Sequence, residues 1–337
     1  MSPLRVAVVT RRAEPLSFRN YRERVLAELA RGPLEARAFA PEAPVPPGVD
    51  LLWDPGLGMG RPPRALFRAP VPLVTTVHGL RHFSLPAAEI ASGALERARV
   101  ALARLRRRRE WRALGGRVAR IVAVSRFGAG EIESALGIPR EKIRAIHHGV
   151  DHAVYRPEGE RAEAARPYLL HVSSYQKKKN LERLLAAHAR LPAGSRPDLV
   201  LVVPDYAGPP LAGPGVLLKS AVLAPLELAR WYRGALAFAF PSLHETFGMP
   251  ILEAMACGAP VLTSMVTACP EVAGGAALLV DPRSVDEIAE ALSRLAGDAR
   301  LRSELRQRGL ARAAQFDWAT CAAAHAQLFA EVVGAAR

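Results

Sequence analysis

Short runs of consecutive apolar residues alternate along this chain with stretches whose apolar residues recur every three to four positions. Residues 5–10, 51–53, 71–77 and 120–124 read as strands buried on both faces, and residues 21–30 carry helical spacing. The alternation restarts at 168–172 and continues through 199–203, 235–240, 260–263 and 277–280, with helices expected over 181–187, 225–232 and 250–257. Two such series in succession predict an α/β chain of two doubly wound parallel-sheet, Rossmann-like domains. The polar stretch 156–166, with Pro157, Gly159 and several Glu and Arg, reads as the linker. The expected domains are therefore 1–160 and 161–315. Segment 316–337 forms a closing helix over 319–333, anchored by Trp318. Segments 40–50 and 204–215 are rich in Pro and Gly and read as loops.

Length and composition narrow the class. At 337 residues, half of them apolar, the chain can build two proper cores. It has no run of about 18 apolar residues, so a membrane span is not expected. Met1 leads directly into the first strand, which argues against a signal peptide. Cys257, Cys269 and Cys321 are odd in number and lack metal-site spacing, so a reduced, cytoplasmic chain without zinc is expected.

The net charge of +14 is unevenly spread. Residues 1–165 hold 28 Lys and Arg against 17 Asp and Glu, and the remainder holds 18 against 15. Between Arg97 and Arg120 lie ten arginines and a single acid, Glu110, with Arg106 to Arg109 consecutive. This stretch is either a solvated helix face or a patch for anionic lipid headgroups or a phosphate-bearing acceptor. Nucleic acid fits it less well, because few aromatic residues accompany the charges.

Two segments carry candidate chemistry. The first, Pro241 to Gly258, holds Glu245 and Glu253 on either side of Gly248-Met249-Pro250. Pro250 suits the first position of a helix, Gly258 and Pro260 stop it, and the backbone N–H groups of Phe247, Gly248 and Met249 can then face an anion. A phosphate flanked by hydroxyl-bearing groups, as in a nucleotide sugar, has the matching shape. The second segment, His171 to Asn180, contains Lys177, Lys178 and Lys179, three of only five lysines in a chain that otherwise uses arginine. A compact point charge at a phosphate explains that choice, and an exposed turn before a helix capped by Asn180 is the alternative. Each segment follows an expected strand, so both stand at carboxyl ends, where open α/β sheets bind ligands.

Together these segments closely resemble family four of the retaining GT-B glycosyltransferases, also called group 1. The resemblance extends to Thr76-Val77-His78-Gly79, Val124-Ser125-Arg126-Phe127, His148-Gly149-Val150-Asp151 and Pro270 to Pro282. It implies two Rossmann-like domains facing across a cleft, an acceptor domain followed by a nucleotide-sugar donor domain, with the closing helix crossing back to the first. It further implies transfer of a hexose from a nucleotide-diphosphate sugar, GDP- or UDP-linked, to a hydroxyl, with retention and without a metal or other cofactor. The acceptor is expected to be lipid-linked or a polysaccharide precursor, met at the inner membrane face by a peripheral enzyme.

By the same resemblance Glu245 would bind hydroxyls of the transferred sugar and Glu253 the ribose. Ser173, Ser174, Lys178 and Lys179 would hold the diphosphate, Lys179 neutralising it as it leaves. The backbone of Phe247, Gly248 and Met249 would hold the sugar and distal phosphate, and His78 would reach the sugar from the first domain. Glu245, Lys179 and His78 are the expected catalytic residues. Both carboxylates belong to one loop-helix unit, so they fit positioning better than the paired nucleophile and acid of a retaining hydrolase.

Two departures stand out. The family commonly has Gly-Gly after the first strand, where Thr10 to Arg24 contains no glycine and Arg19-Asn20 is the nearest counterpart. Ser173-Ser174 replaces the Gly-Arg of many members, and a small hydroxyl residue there leans toward mannosyltransferases. His147 and His148 read as structural, His244 as either structural or a phosphate contact, and Asp281 as a turn residue. Competing functions are a basic nucleic-acid- or membrane-binding protein with a vestigial sugar site, and a GT-B epimerase. A dinucleotide dehydrogenase is disfavoured, since no Gly-x-Gly-x-x-Gly follows the first strand.

Overall fold

The computed structural model describes residues 3–57, 66, 69–80, 83, 85–87, 91, 93–209, 211 and 213–336. Positions 210 and 212 of the expected loop 204–215 lie outside the described residues. The chain divides into two compact units, Met1–Gly149 with Trp318–Arg337, and Val150–Asp317.

The first unit is built on β1 (Leu4–Val9), β2 (Leu34–Phe39), β3 (Leu51–Asp54), β4 (Leu73–Val77), β5 (Val118–Ala123) and β6 (Ile143–Ala145), all parallel, in the order β2-β1-β3-β4-β5-β6. Its helices include α1 (Leu16–Leu29), α2 (Ala94–Gly115) and α3 (Arg126–Leu136). Ser125 caps α3 by accepting from the Gly128 N–H at 2.8 Å, and Gly137, at φ 66°, ends it in the left-handed conformation. β3 and β4 are buried at every residue because helices cover both faces of the sheet.

The second unit carries β7 (Tyr168–Val172), β8 (Asp198–Val202), β9 (Val216–Lys219), β10 (Ala237–Phe240), β11 (Val261–Ser264) and β12 (Ala277–Val280), again parallel, in the order β12-β11-β10-β7-β8-β9. Its helices are α4 (Leu181–Ala189), α5 (Pro225–Gly234), α6 (Met249–Ala256), α7 (Cys269–Ala273), α8 (Val285–Gly297) and α9 (Ala299–Ala313) among the described residues. The last helix, α10 (Trp318–Ala336), belongs to the first unit. Its Cys321, His325, Leu328 and Phe329 share a core with Tyr21, Val25 and Leu29 of α1 and with Trp53.

The unit boundary differs from the expected one at 160. Val150 donates to Phe316 O, the His152 ring bonds the same carbonyl, Tyr155 packs edge-on against Tyr232, and Arg233 holds the carbonyls of Arg156 and Glu160. Those ties fasten residues 150–160 to the second unit, so the polar composition of 156–166 marked an exposed strap and not the boundary. β2, β6 and β9 escaped the sequence reading, since β2 is largely exposed, β6 is three residues long and β9 is half exposed.

Each sheet has one point where the order reverses. In the second unit the chain builds outward from β7 to β9, then returns to the other side of β7 with β10. The loops leaving β7 and β10 therefore emerge side by side at a topological switch point, where ligands bind in open α/β sheets. In the first unit the corresponding point lies between β1 and β3.

Candidate active site

The loop after β7 ends in a 3-10 turn, Lys177–Lys179, and then in Asn180 at φ 63°. Asparagine tolerates this left-handed conformation, and its side chain does more than cap a helix. Asn180 Nδ2 donates to Pro241 O at 2.9 Å and to Pro282 O at 2.6 Å, while its Oδ1 accepts from Arg183. The Leu243 N–H also donates to Lys178 O at 2.7 Å. Buried bonds of this kind tie the lysine loop to the loops after β10 and β12.

That tie brings the lysines onto Glu245. Lys179 Nζ lies 2.6 Å from Glu245 Oε1 and 4.9 Å from the Phe240 ring centroid, and Lys178 Nζ lies 3.8 Å from Glu245 Oε2. Burial alone would raise the Glu245 carboxyl. Lys179 and Lys178, with hydrogen bonds from Lys179 and Ser242, overcome burial and hold it at about 2, so it is ionised at neutral pH. The Glu245 backbone is fixed by its N–H to Thr267 Oγ1 and by its carbonyl, which accepts from Ala268. Thr267 sits at φ 62° and was not singled out from sequence; its signal lay in a turn that no residue pattern marks.

His171 is another contributor without an assigned role in the sequence reading. Its Nδ1–H donates to Ala239 O on β10, which leaves Nε2 to accept from the Ser173 hydroxyl, both at 2.8 Å. Burial first, then the neighbouring Lys179, lowers its pKa to about 4, so the ring is neutral. The Ser173 hydroxyl proton is therefore directed at His171, and Ser174 Oγ accepts from Gln176 Nε2. The two serines fix the loop's shape.

The helix after Glu245 starts one residue earlier than expected, at Met249, with Pro250 in its second position. Gly248 precedes it at φ 102°, and a Cβ there would stand 3.0 Å from Ile251 Cδ1 and 4.0 Å from Glu245 Cβ. Glycine alone permits this entry, which sets the opening N–H groups of α6 beside Glu245. Phe247 is buried and packs edge-on against Phe316 at 6.1 Å. Glu253, one turn into α6, accepts from the Tyr232 hydroxyl at 3.2 Å; burial pushes its carboxyl up to about 7, against the pull of that bond.

His78 stands at the end of β4 in the first unit. Its Nε2–H donates to Pro55 O at 2.8 Å, and the ring stacks on Phe18 at 4.2 Å and on His148 at 5.5 Å. Burial lowers it to about 4 against the Pro55 bond, with His325 assisting the fall, so it is neutral. His148 thus shares an aromatic cluster with His78, Tyr21 and Trp318. Arg19 and Asn20 lie inside α1 and cannot form the loop after β1, which corrects the proposed Gly-Gly counterpart. That loop is held by Arg11, whose two terminal nitrogens grip the two oxygens of buried Asp54 at 2.7 and 2.6 Å.

Two doubly wound parallel sheets, one with a lysine-carboxylate cluster at its switch point, define a GT-B glycosyltransferase fold. Among solved structures, sucrose-phosphate synthase from Thermosynechococcus elongatus matches with TM-score 0.76 at 18% identity, over 98% of this chain and 100% of that one. Anabaena HepE in complex with UDP and glucose matches with TM-score 0.68 at 16% identity, over 97% and 99%. The Glycosyltransferase Family 4 profile matches residues 4–154, and the profile for Glycosyl transferases group 1 matches 166–298. The chain belongs to this family of glycosyltransferases.

Similar curated proteins include O-antigen chain mannosyltransferase B of Escherichia coli, 35% identical over 46% of this chain and 43% of that protein. The serotype-specific mannosyltransferase WbdA of Escherichia coli is 30% identical over 60% of this chain and 27% of its own length. D-inositol 3-phosphate glycosyltransferase of Streptomyces bingchenggensis is 32% identical over 65% and 54%. The chain thus spans about half or less of the length of these relatives.

Proposed function

We propose that this protein transfers a hexose, with mannose favoured, from a nucleotide-diphosphate sugar to a hydroxyl of a lipid-linked or polysaccharide-precursor acceptor, with retention and without a metal. The observation that carries the reading is the charge cluster of Lys178, Lys179 and Glu245 beside the N-terminus of α6. Two ammonium groups and a helix N-terminus form a concentrated positive field suited to a diphosphate. Without ligand, Glu245 offsets one of the two ammonium charges; a bound diphosphate takes over that role and frees the carboxylate for sugar hydroxyls. Glu253 serves the ribose hydroxyls. Mannose is favoured by the similarity to two Escherichia coli mannosyltransferases and by Ser173-Ser174.

In the transfer, the bond from the anomeric carbon to the phosphate oxygen breaks while Lys179 offsets the charge growing on that oxygen. The acceptor oxygen bonds to the same carbon from the same face and gives its proton to the departing phosphate oxygen. Lys178 and Lys179 supply the countercharge that a divalent ion gives elsewhere, so turnover should persist in EDTA.

The test is incubation of the purified chain with GDP-mannose, UDP-glucose and their analogues, with and without extracted lipid-linked acceptors. A product keeping the donor's anomeric configuration by NMR supports the reading. Inversion, loss of activity in EDTA, or conversion of the donor without acceptor would each overturn a named part of it.

A further inference from the structure

Helix α2 makes little use of its length for the core. Trp111 and Leu114 are its buried large side chains, both in its last turns, while Val100, Arg104 and Arg107 line the inward side before them. Arg104 is committed to Leu85 O, Arg107 lies 3.9 Å from Glu110, and Arg108 lies over the Phe83 ring. The remaining face points away from the unit. On it Leu95, Ala98, Leu102, Leu105 and Arg109 follow one another at spacings of three and four. Leu95, Leu102 and Leu105 are 70%, 49% and 59% exposed. Arg99 and Arg106 flank this stripe and Arg109 lies on it, all three exposed.

We infer that the outward face of α2 docks the protein on an anionic lipid surface, with the leucines dipping into the headgroup boundary and the arginines pairing with lipid phosphates. Charge decides the occupant. The leucine spacing alone would also suit pairing with α2 of a second copy, but that would set Arg99, Arg106 and Arg109 of one copy against those of the other, with Glu96 and Glu110 the only acids on the helix. An anionic surface meets the same residues with the opposite sign. Three leucines are too few to hold the helix in neutral lipid, so binding should depend on lipid charge. Among the described residues no helix is long and apolar enough to cross a membrane, consistent with a helix lying in the interface plane. This inference requires no donor chemistry and stands apart from the transfer reaction.

The test is co-sedimentation of the whole chain with phosphatidylcholine vesicles containing zero to 30% phosphatidylglycerol, the charge dose being about a third of the lipid at most. Binding should rise with the anionic fraction and fall with salt. At roughly fivefold per arginine, the combined variant Arg99→Gln, Arg106→Gln, Arg109→Gln should bind about a hundredfold more weakly. A second variant, Leu102→Ser with Leu105→Ser, should lose the part of binding that survives high salt. Circular dichroism and a nucleotide-induced thermal shift, both unchanged, show that the variants are folded. Equal binding to neutral vesicles, no loss in the arginine variant, tighter arginine-dependent binding to duplex DNA than to vesicles, or a dimer abolished by the leucine variant would overturn the inference.

Discussion

At the scale of single residues, the organising pair is Lys179 and Glu245. Each is enclosed, so removing one leaves the other's charge short of its partner, and Lys178 compensates only from 3.8 Å. Lys179→Ala should therefore lower turnover by about a hundredfold or more and also reduce stability, whereas Lys179→Met with Glu245→Gln should recover stability but no activity. Denaturant unfolding beside initial rates separates the two effects. Full activity in the Lys179 variant would sink its assignment. His78→Ala, in the other unit, should reduce turnover while leaving nucleotide-induced thermal stabilisation intact, as thermal shift with each nucleoside diphosphate would check.

Glu253 offers a separate handle. Its folded pKa, about 7, stands above the ordinary carboxylate value, so the folded state holds a proton that the unfolded chain has lost. Its contribution to stability is complete below the unfolded pKa and disappears as pH rises through about 7. Donor affinity should run the other way, rising through the same interval as the carboxylate becomes able to accept from two ribose hydroxyls. Calorimetric titration of nucleoside diphosphate between pH 6 and 8, roughly one unit either side of that value, checks this. The Glu253→Gln variant should give a flat profile.

At the scale of elements, Asn180 joins three loops that lie far apart in sequence. The sequence allowed it to be only a helix cap, and the structure shows no cap bond from its side chain. What it does instead depends on β12, whose following loop supplies Pro282 O a hundred positions away in sequence. Asn180→Ala removes both hydrogen bonds to buried carbonyls and puts in the left-handed region a residue that tolerates it less well than asparagine. It should cost about 2–4 kcal/mol in urea unfolding. A further sign would be slower turnover in the folded fraction, because Lys179 loses its fixed approach to Glu245. Loss of less than about 0.5 kcal/mol would show that the loops are held by other means.

At the scale of the whole molecule, the two units should respond differently to acid. In the first, His78, His148 and His325 are buried and neutral; burial lowers His78 and His325 to about 4 each and His148 well below the usual imidazole value. His325 donates from Nδ1 to Cys321 O and accepts from Tyr21 at 2.7 Å, so protonation would break a filled network. The unfolded chain takes protons near pH 6.5 that the folded unit refuses, so stability is present above that pH and is lost as pH falls toward 4. The slope is at most about 1.4 kcal/mol per pH unit for each histidine. Calorimetry between pH 7 and 4.5 should show the transition of the first unit moving down by more than that of the second, with His148→Phe reducing the difference.

The alternation of apolar runs, by itself, determined the number and kind of domains, because strands buried on both faces must be continuously apolar and crossover helices must not be. It also marked Glu245, Glu253 and the lysine triplet, whose side chains contrast with their surroundings. Tertiary structure alone decided which of these residues meet. The strand order brings the loops after β7 and β10 together, and a reversal of order leaves no trace in local spacing. It also decided that Arg19 and Asn20 are helical, that residues 150–160 belong to the second unit, and that His171 and Thr267 support the site. Those outcomes rest on contacts between distant parts of the chain, and the energy of such contacts is carried by pairs of residues that local pattern cannot join.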